Sequence, residues 1–216
     1  MGTLSVPTAS SAQAAGLHVL GTHFGADSIA IRQLNTVADQ IRQITRDVEA
    51  QILGRDEADL CTRLEPGSWC VAECLDHLTQ TNRAFLPAIA EAIAEAPELR
   101  TNRPLRTGIV PSLLIRNLTP PYRIRFKVLP QLTPQNLDSE TAWSAFVESQ
   151  AQLLETVFSA AGLAIDKVRI KSPVYARISY NIYGVFRVLA AHQHRHIWQI
   201  EQILQALDNR QTPVVA

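Results

Sequence analysis

His192 and His196 stand four residues apart in the run His192-Gln193-His194-Arg195-His196. On an α-helix that spacing puts both imidazoles on one face, one turn apart, while His194 falls about 200° round from His192 and faces the other way. Paired imidazoles in an apolar interior need partners for their ring nitrogens, and a divalent metal supplies one while tolerating the low dielectric. A single histidine on such a face is ordinarily a hydrogen-bonded core residue, so it is the pair that favours a metal. His77 offers a third ligand. Glu73, one turn before His77 on nearly the same helical face, can orient that imidazole or act as a general base, with a solvated helix carboxylate as the alternative.

The elements that position these side chains follow from apolar periodicity. Ile178, Ile182, Val185, Leu189, His192, His196, Ile200, Ile203 and Leu207 step by four and three, which predicts a last helix with both histidines on its buried seam. Upstream, Pro66-Gly67-Ser68 makes a turn and cap, and Trp69 opens a helix running to about Ala96. Its apolar stripe is Val71, Leu75, Leu78, Phe85, Ile89 and Ile93. His77 falls beside that stripe, on a side lined by Cys70, Cys74, Thr81, Ala84 and Ala88, whose small side chains leave space for a ligand facing a cavity. Cys74 is also in reach, although a buried thiol there more often packs than ligates.

Two further helices complete the pattern. The first begins at a cap near Asp27 or Ser28, carries Leu34, Val37, Ile41, Ile44 and Val48, and ends at Gly54. The other runs from a cap at Ser139 to Gly162 with Trp143, Phe146, Leu153, Val157 and Ala161 on its seam. Gln150 takes a seam position there; a polar amide so placed either pairs with a neighbour as a register device or faces a wet cavity beside a metal site. Between the second and third long helices, Pro97 to Asp138 holds seven of the chain's twelve prolines and no long helix survives. Ser112 to Leu118 suits a short helix, and Tyr122 to Val128 alternates as an extended edge does. The expected fold is all-α, a single four-helix bundle with a long Pro-rich crossover between helices 2 and 3.

Composition narrows the function classes. Lys+Arg and Asp+Glu each total 20 and 46% of residues are hydrophobic, so the chain carries ample core and no global field for nucleic acid or an anionic membrane. The crossover is locally basic, with seven Lys and Arg against Glu98 and Asp138. Arg123 and Arg125 there are candidate receivers of an anionic small-molecule substrate; a solvated basic face or a homodimer contact are the alternatives. Cys61, Cys70 and Cys74 show no paired spacing of a zinc module or disulfide framework, which fits a reducing, cytoplasmic setting. Residues 1–26 lack the basic start and unbroken apolar run of a signal peptide and read as a flexible tail, followed by one domain over 27–208 and a short tail over 209–216.

Trp69-Cys70-Val71-Ala72-Glu73-Cys74-Leu75-Asp76-His77-Leu78 resembles the tryptophan-to-His-Leu opening of the second helix in DinB-like proteins. His192-Gln193-His194-Arg195-His196-Ile197-Trp198-Gln199 resembles their last-helix His-x-x-Arg-His segment, and the likeness spans roughly Asp27 to Leu207. The resemblance implies a four-helix bundle holding a divalent metal, commonly nickel or zinc and sometimes iron or manganese, on three histidines, here His77, His192 and His196. It also implies that some relatives use the metal in transferase or isomerase reactions with low-molecular-weight thiols.

Physically, three histidines with an open position bind a water or a thiolate and lower the pKa of either. Thiol-dependent transferase or isomerase, metal-dependent hydrolase and purely structural metal are therefore the readings to separate. A fourth protein ligand, with Cys74 and Glu73 the nearest candidates, would mark the structural case.

Overall fold

The computed structural model describes residues 28–120, 122, 128–135 and 138–211. Four long helices form the body: α1 (Ile29–Ile52), α3 (Val71–Ala94), α5 (Ser139–Ser159) and α6 (Ile182–Gln211). Two short ones join them, α2 (Glu57–Cys61) and α4 (Ile109–Leu118), with a 3-10 turn at Pro130–Leu132. Helices α3 and α6 each pack against their neighbours α1 or α5, and against each other, so the histidine-bearing helices are adjacent. The protein is an all-α bundle, as its periodicity predicts.

The helix starts follow from local chemistry. Ser28 caps α1 by accepting from the Ile31 N–H at 3.2 Å. Cys70, rather than a residue of the Pro66-Gly67-Ser68 turn, caps α3, and Trp69 lies just before the helix. For α5 the cap is Asp138, which accepts from the Thr141 N–H at 2.8 Å, one residue before the predicted Ser139. Ser139 is instead held from outside by Glu57 of α2, whose carboxylate accepts from the Ser139 N–H at 3.0 Å and from its hydroxyl. The seam of α6 is shorter than predicted. Ile178 lies in the connection of a hairpin, just before β2 (Ser179–Asn181), which pairs antiparallel with β1 (Arg169–Lys171), and the helix starts only at Ile182. Asn181 Oδ1 accepts from the Gly184 N–H at 2.6 Å, and Gly184 has no room for a side chain, since a Cβ would lie 2.5 Å from both the Thr107 carbonyl and Pro111.

The interior is two apolar clusters separated by a layer of amides. One cluster gathers Leu34, Ile41, Phe85, Leu153, Ile165, Phe186 and Leu189; the other gathers Ile44, Val48, Leu75, Leu78, Trp143, Phe146, Ile200 and Leu204. Between them Asn82 of α3, Gln150 of α5 and Gln193 of α6 close a ring of hydrogen bonds. Asn82 Nδ2 donates to Gln150 Oε1 at 3.0 Å, Gln150 Nε2 to Gln193 Oε1 at 3.0 Å, and Gln193 Nε2 to Asn82 Oδ1 at 3.1 Å. Gln150 Nε2 also reaches Thr45 Oγ1 of α1 at 3.3 Å, so all four long helices meet in this layer. All three amides are 2% exposed or less, and each finds partners, which removes the cost of burying them. Replacing Gln150 with Ala leaves the Asn82 and Gln193 amides short of partners and opens a cavity, so urea denaturation should show a loss of about 2–4 kcal/mol. Gln152→Ala, on the exposed face, should stay within about 0.5 kcal/mol of the parent.

Candidate metal centre

His192 and His196 project from one face of α6 toward α3, where His77 meets them. His192 Nε2 lies 3.4 Å from His77 Nε2 and 3.2 Å from His196 Nε2, and the three ligand atoms all lie within 4.8 Å of one another. His77 and His196 are 4% and 8% exposed, and His192 is half-buried. Trp69 covers the cluster: its ring centroid is 4.8 Å from that of His77, and it stacks on His196 at 5.9 Å. His194 is exposed on the opposite face of α6, as the helical angle requires.

The outer nitrogens fix the tautomers. His77 Nδ1 is 2.8 Å from the Leu132 carbonyl, which can only accept, so Nδ1 carries the hydrogen and Nε2 presents a lone pair to the cluster. His196 Nδ1 is 3.1 Å from Gln199 Oε1, with the same consequence. His192 Nε2 thus faces two lone pairs, and its own Nδ1 is a buried atom without a hydrogen-bond partner among the described residues. A neutral His192 can donate Nε2–H to one neighbour only, leaving the other lone pair unanswered. A cation answers all three. Three nitrogens at about 2.0–2.1 Å from one ion at tetrahedral angles are about 3.3 Å apart. The two separations from His192, 3.2 and 3.4 Å, match this, while the His77 and His196 atoms lie within 4.8 Å and would close up around an ion.

Burial and mutual repulsion keep the imidazoles neutral. Desolvation, helped by His77 and Arg195, lowers the His192 pKa from 6.5 to about 3. Desolvation and the other two histidines hold His196 well below its ordinary value. His77 is lowered by burial, partly offset by the Leu132 hydrogen bond and the charge of Asp76. Neutral imidazoles are the form that ligates metal.

The other predicted site residues lie elsewhere. Glu73 does not touch His77: it is the third residue of α3, accepts from the Cys70 N–H at 2.9 Å in a capping box, and receives two hydrogen bonds from Arg63, including Nε to Oε2 at 2.9 Å. Burial raises its pKa, but Arg63 and the Cys70 N–H outweigh that and hold it below the ordinary carboxylate value. A helix-start carboxylate bound by its own cap cannot also swing to an imidazole one turn on. Gln150 belongs to the amide layer, the pairing alternative of the two predicted for it. Cys74 is fully buried in the apolar cluster with its thiol pKa pushed well up by desolvation, and the ligand cluster among the described residues comprises only the three histidines. Arg123, Arg125 and most of the predicted extended edge lie outside the described residues.

Three partners of the histidines stand outside the site residues expected from the sequence. The Leu132 carbonyl leaves no signature, because every residue has one. Gln199 was findable, since it follows His196 by three positions on the same helix. Trp69 reads as a helix opener, and its contact with two imidazoles depends on how α3 meets α6.

A family model for the DinB superfamily matches residues 35–200. The chain belongs to the DinB superfamily. Neither the curated proteins nor the solved structures contain a match. In this DinB-superfamily chain no helix among the described residues is long and apolar enough to cross a membrane.

The depressed histidine pKa values set a pH dependence. In the unfolded chain the imidazoles bind protons near their ordinary 6.5, whereas the folded protein resists protonation of His192 down to about 3. Unfolding therefore takes up protons within that window, and the stability of the metal-free protein falls as pH drops through it. Urea denaturation at about pH 7.5 and about pH 5 should show the loss, and His192→Phe should lessen it. Equal stability of the parent at both pH values would contradict the burial of neutral imidazoles.

Proposed function

We propose that His77, His192 and His196 hold one divalent ion through their Nε2 atoms, leaving a position open for a small molecule. The observation carrying this reading is the convergence of three Nε2 atoms, two with lone pairs fixed inward, around a point that no carboxylate or thiol among the described residues approaches. When bound, such an ion supplies Lewis acidity and lowers the pKa of a water or thiol at its open position.

The chain's own groups do the rest. Leu132 and Gln199 hold two imidazoles in the ligating tautomer, as the outer partners of metal-bound histidines do. Trp69 screens two of the rings from solvent and keeps the local dielectric low, which strengthens electrostatic interactions at the open position. With three neutral ligands the ion's charge stays uncompensated, so an anionic occupant is favoured. This supports a low-molecular-weight thiol, taken as thiolate, as nucleophile in a transferase or isomerase reaction, with activated water and hydrolysis as the second use of the same position. Nickel or zinc suits an all-imidazole set, and iron or manganese are the alternatives.

Cobalt is a spectroscopic probe of both claims. His77→Ala, His192→Ala and His196→Ala should each lose stoichiometric cobalt, and His194→Ala should keep it. Small thiols titrated into the cobalt-loaded parent should change its visible ligand-field spectrum. Full metal retention in folded His192→Ala and His196→Ala proteins would move the site, and a spectrum indifferent to thiols, azide and pH would leave a structural ion as the better account.

A further inference from the structure

The His77 imidazole is oriented by a backbone carbonyl of the crossover, so something must hold that carbonyl still. Leu132 ends the 3-10 turn Pro130–Leu132, and the chain just beyond it is gripped by α3. Asp76, the residue before His77, accepts from the Gln135 N–H at 2.6 Å through Oδ2. The same oxygen accepts from Gln80 Nε2 at 2.7 Å, and Gln80 Nε2 lies 3.4 Å from the Thr133 carbonyl. Asp76 is 5% exposed, and no ion pair among the described residues includes it. A buried carboxylate without a cation is costly unless its hydrogen bonds offset the lost hydration. Here two N–H donors converge on one oxygen, and one of them is the crossover backbone three residues past Leu132.

We propose that Asp76 is a positioning residue of the metal centre: by anchoring Gln135 it fixes the Leu132 carbonyl, and so holds His77 with hydrogen on Nδ1 and its Nε2 lone pair toward the ion. The inference rests on the three-histidine reading above. Asp76 and His77 are consecutive on α3 and seize the same crossover segment at two points, the side chain of one at Gln135 and the ring of the other at Leu132. The carbonyl opposes rotation of the imidazole about its own axis only if it keeps its place. The carboxylate also brings a negative charge close enough to be felt at His77, in a site whose three ligands are neutral.

Two readouts test this, one of them independent of metal. Long-range proton–nitrogen NMR of the metal-free parent should show His77 in the single tautomer with hydrogen on Nδ1, and competition with a chromophoric chelator gives the cobalt affinity. Asp76→Ala, confirmed folded by circular dichroism, should mix the His77 tautomers and weaken cobalt binding about 10–100-fold. Asp76→Asn keeps an acceptor oxygen and should restore the tautomer and most of the affinity. Gln135→Pro deletes the N–H that Asp76 accepts at an exposed position, should reproduce the Asp76→Ala losses, and decides the matter should Asp76→Ala not fold. Parental tautomer and parental affinity in either Asp76→Ala or Gln135→Pro would overturn the proposal while leaving the metal reading intact. A parent that takes up no cobalt would overturn the metal reading, and with it the role of Asp76 there.

Discussion

Three imidazole nitrogens meeting in a largely dry corner form an arrangement that hydrogen bonds alone do not satisfy. Two of the rings spend their N–H outward, on Leu132 and Gln199, so their lone pairs face inward toward the third. In water such lone pairs would be hydrated; here burial and Trp69 keep solvent off, and protonation is opposed by desolvation and by the neighbouring rings. A shared cation would resolve the conflict, and the two nitrogen separations from His192 suit one.

This geometry demands register between α3 and α6, because sliding one helix by a turn moves a ligand by about 5 Å. The amide layer is well placed to supply that register. Asn82 lies five residues beyond His77 on α3, and Gln193 directly follows His192 on α6, so the helices that carry the histidines are also cross-linked by directional hydrogen bonds. An apolar layer would tolerate small slips, whereas a closed ring of amides loses partners if any member moves. The layer also explains why the core divides into two apolar clusters rather than one.

Much of this was legible in the sequence, and what was not had physical reasons. Seam spacing placed His192 and His196 inward and His194 outward, and it located the four long helices to within a few residues. It also carried Ile178 into the last helix, since a residue preceding a short strand can satisfy an apolar helical pattern by chance; periodicity does not see the hairpin that Asn181 and Gly184 terminate. Asp138 took the cap of α5 because Ser139 is engaged by Glu57, a partner 82 positions away. The sequence leaves Glu73 open between an imidazole partner and a plain helix carboxylate because helical phase alone says which face a side chain shares, not that Arg63 and the Cys70 N–H engage it. The crossover's contribution, a carbonyl from Leu132, is written in no side chain.

The central claim is that three imidazoles of this chain, and no fourth side chain, surround one ion. X-ray absorption at the metal edge of the zinc- or cobalt-loaded protein tests it most directly. The account predicts three imidazole shells at about 2.0–2.1 Å with the remaining scatterer a light atom that gives way to sulfur when a small thiol is added. A protein sulfur already in the shell without added thiol, or fewer than three imidazoles, would contradict it.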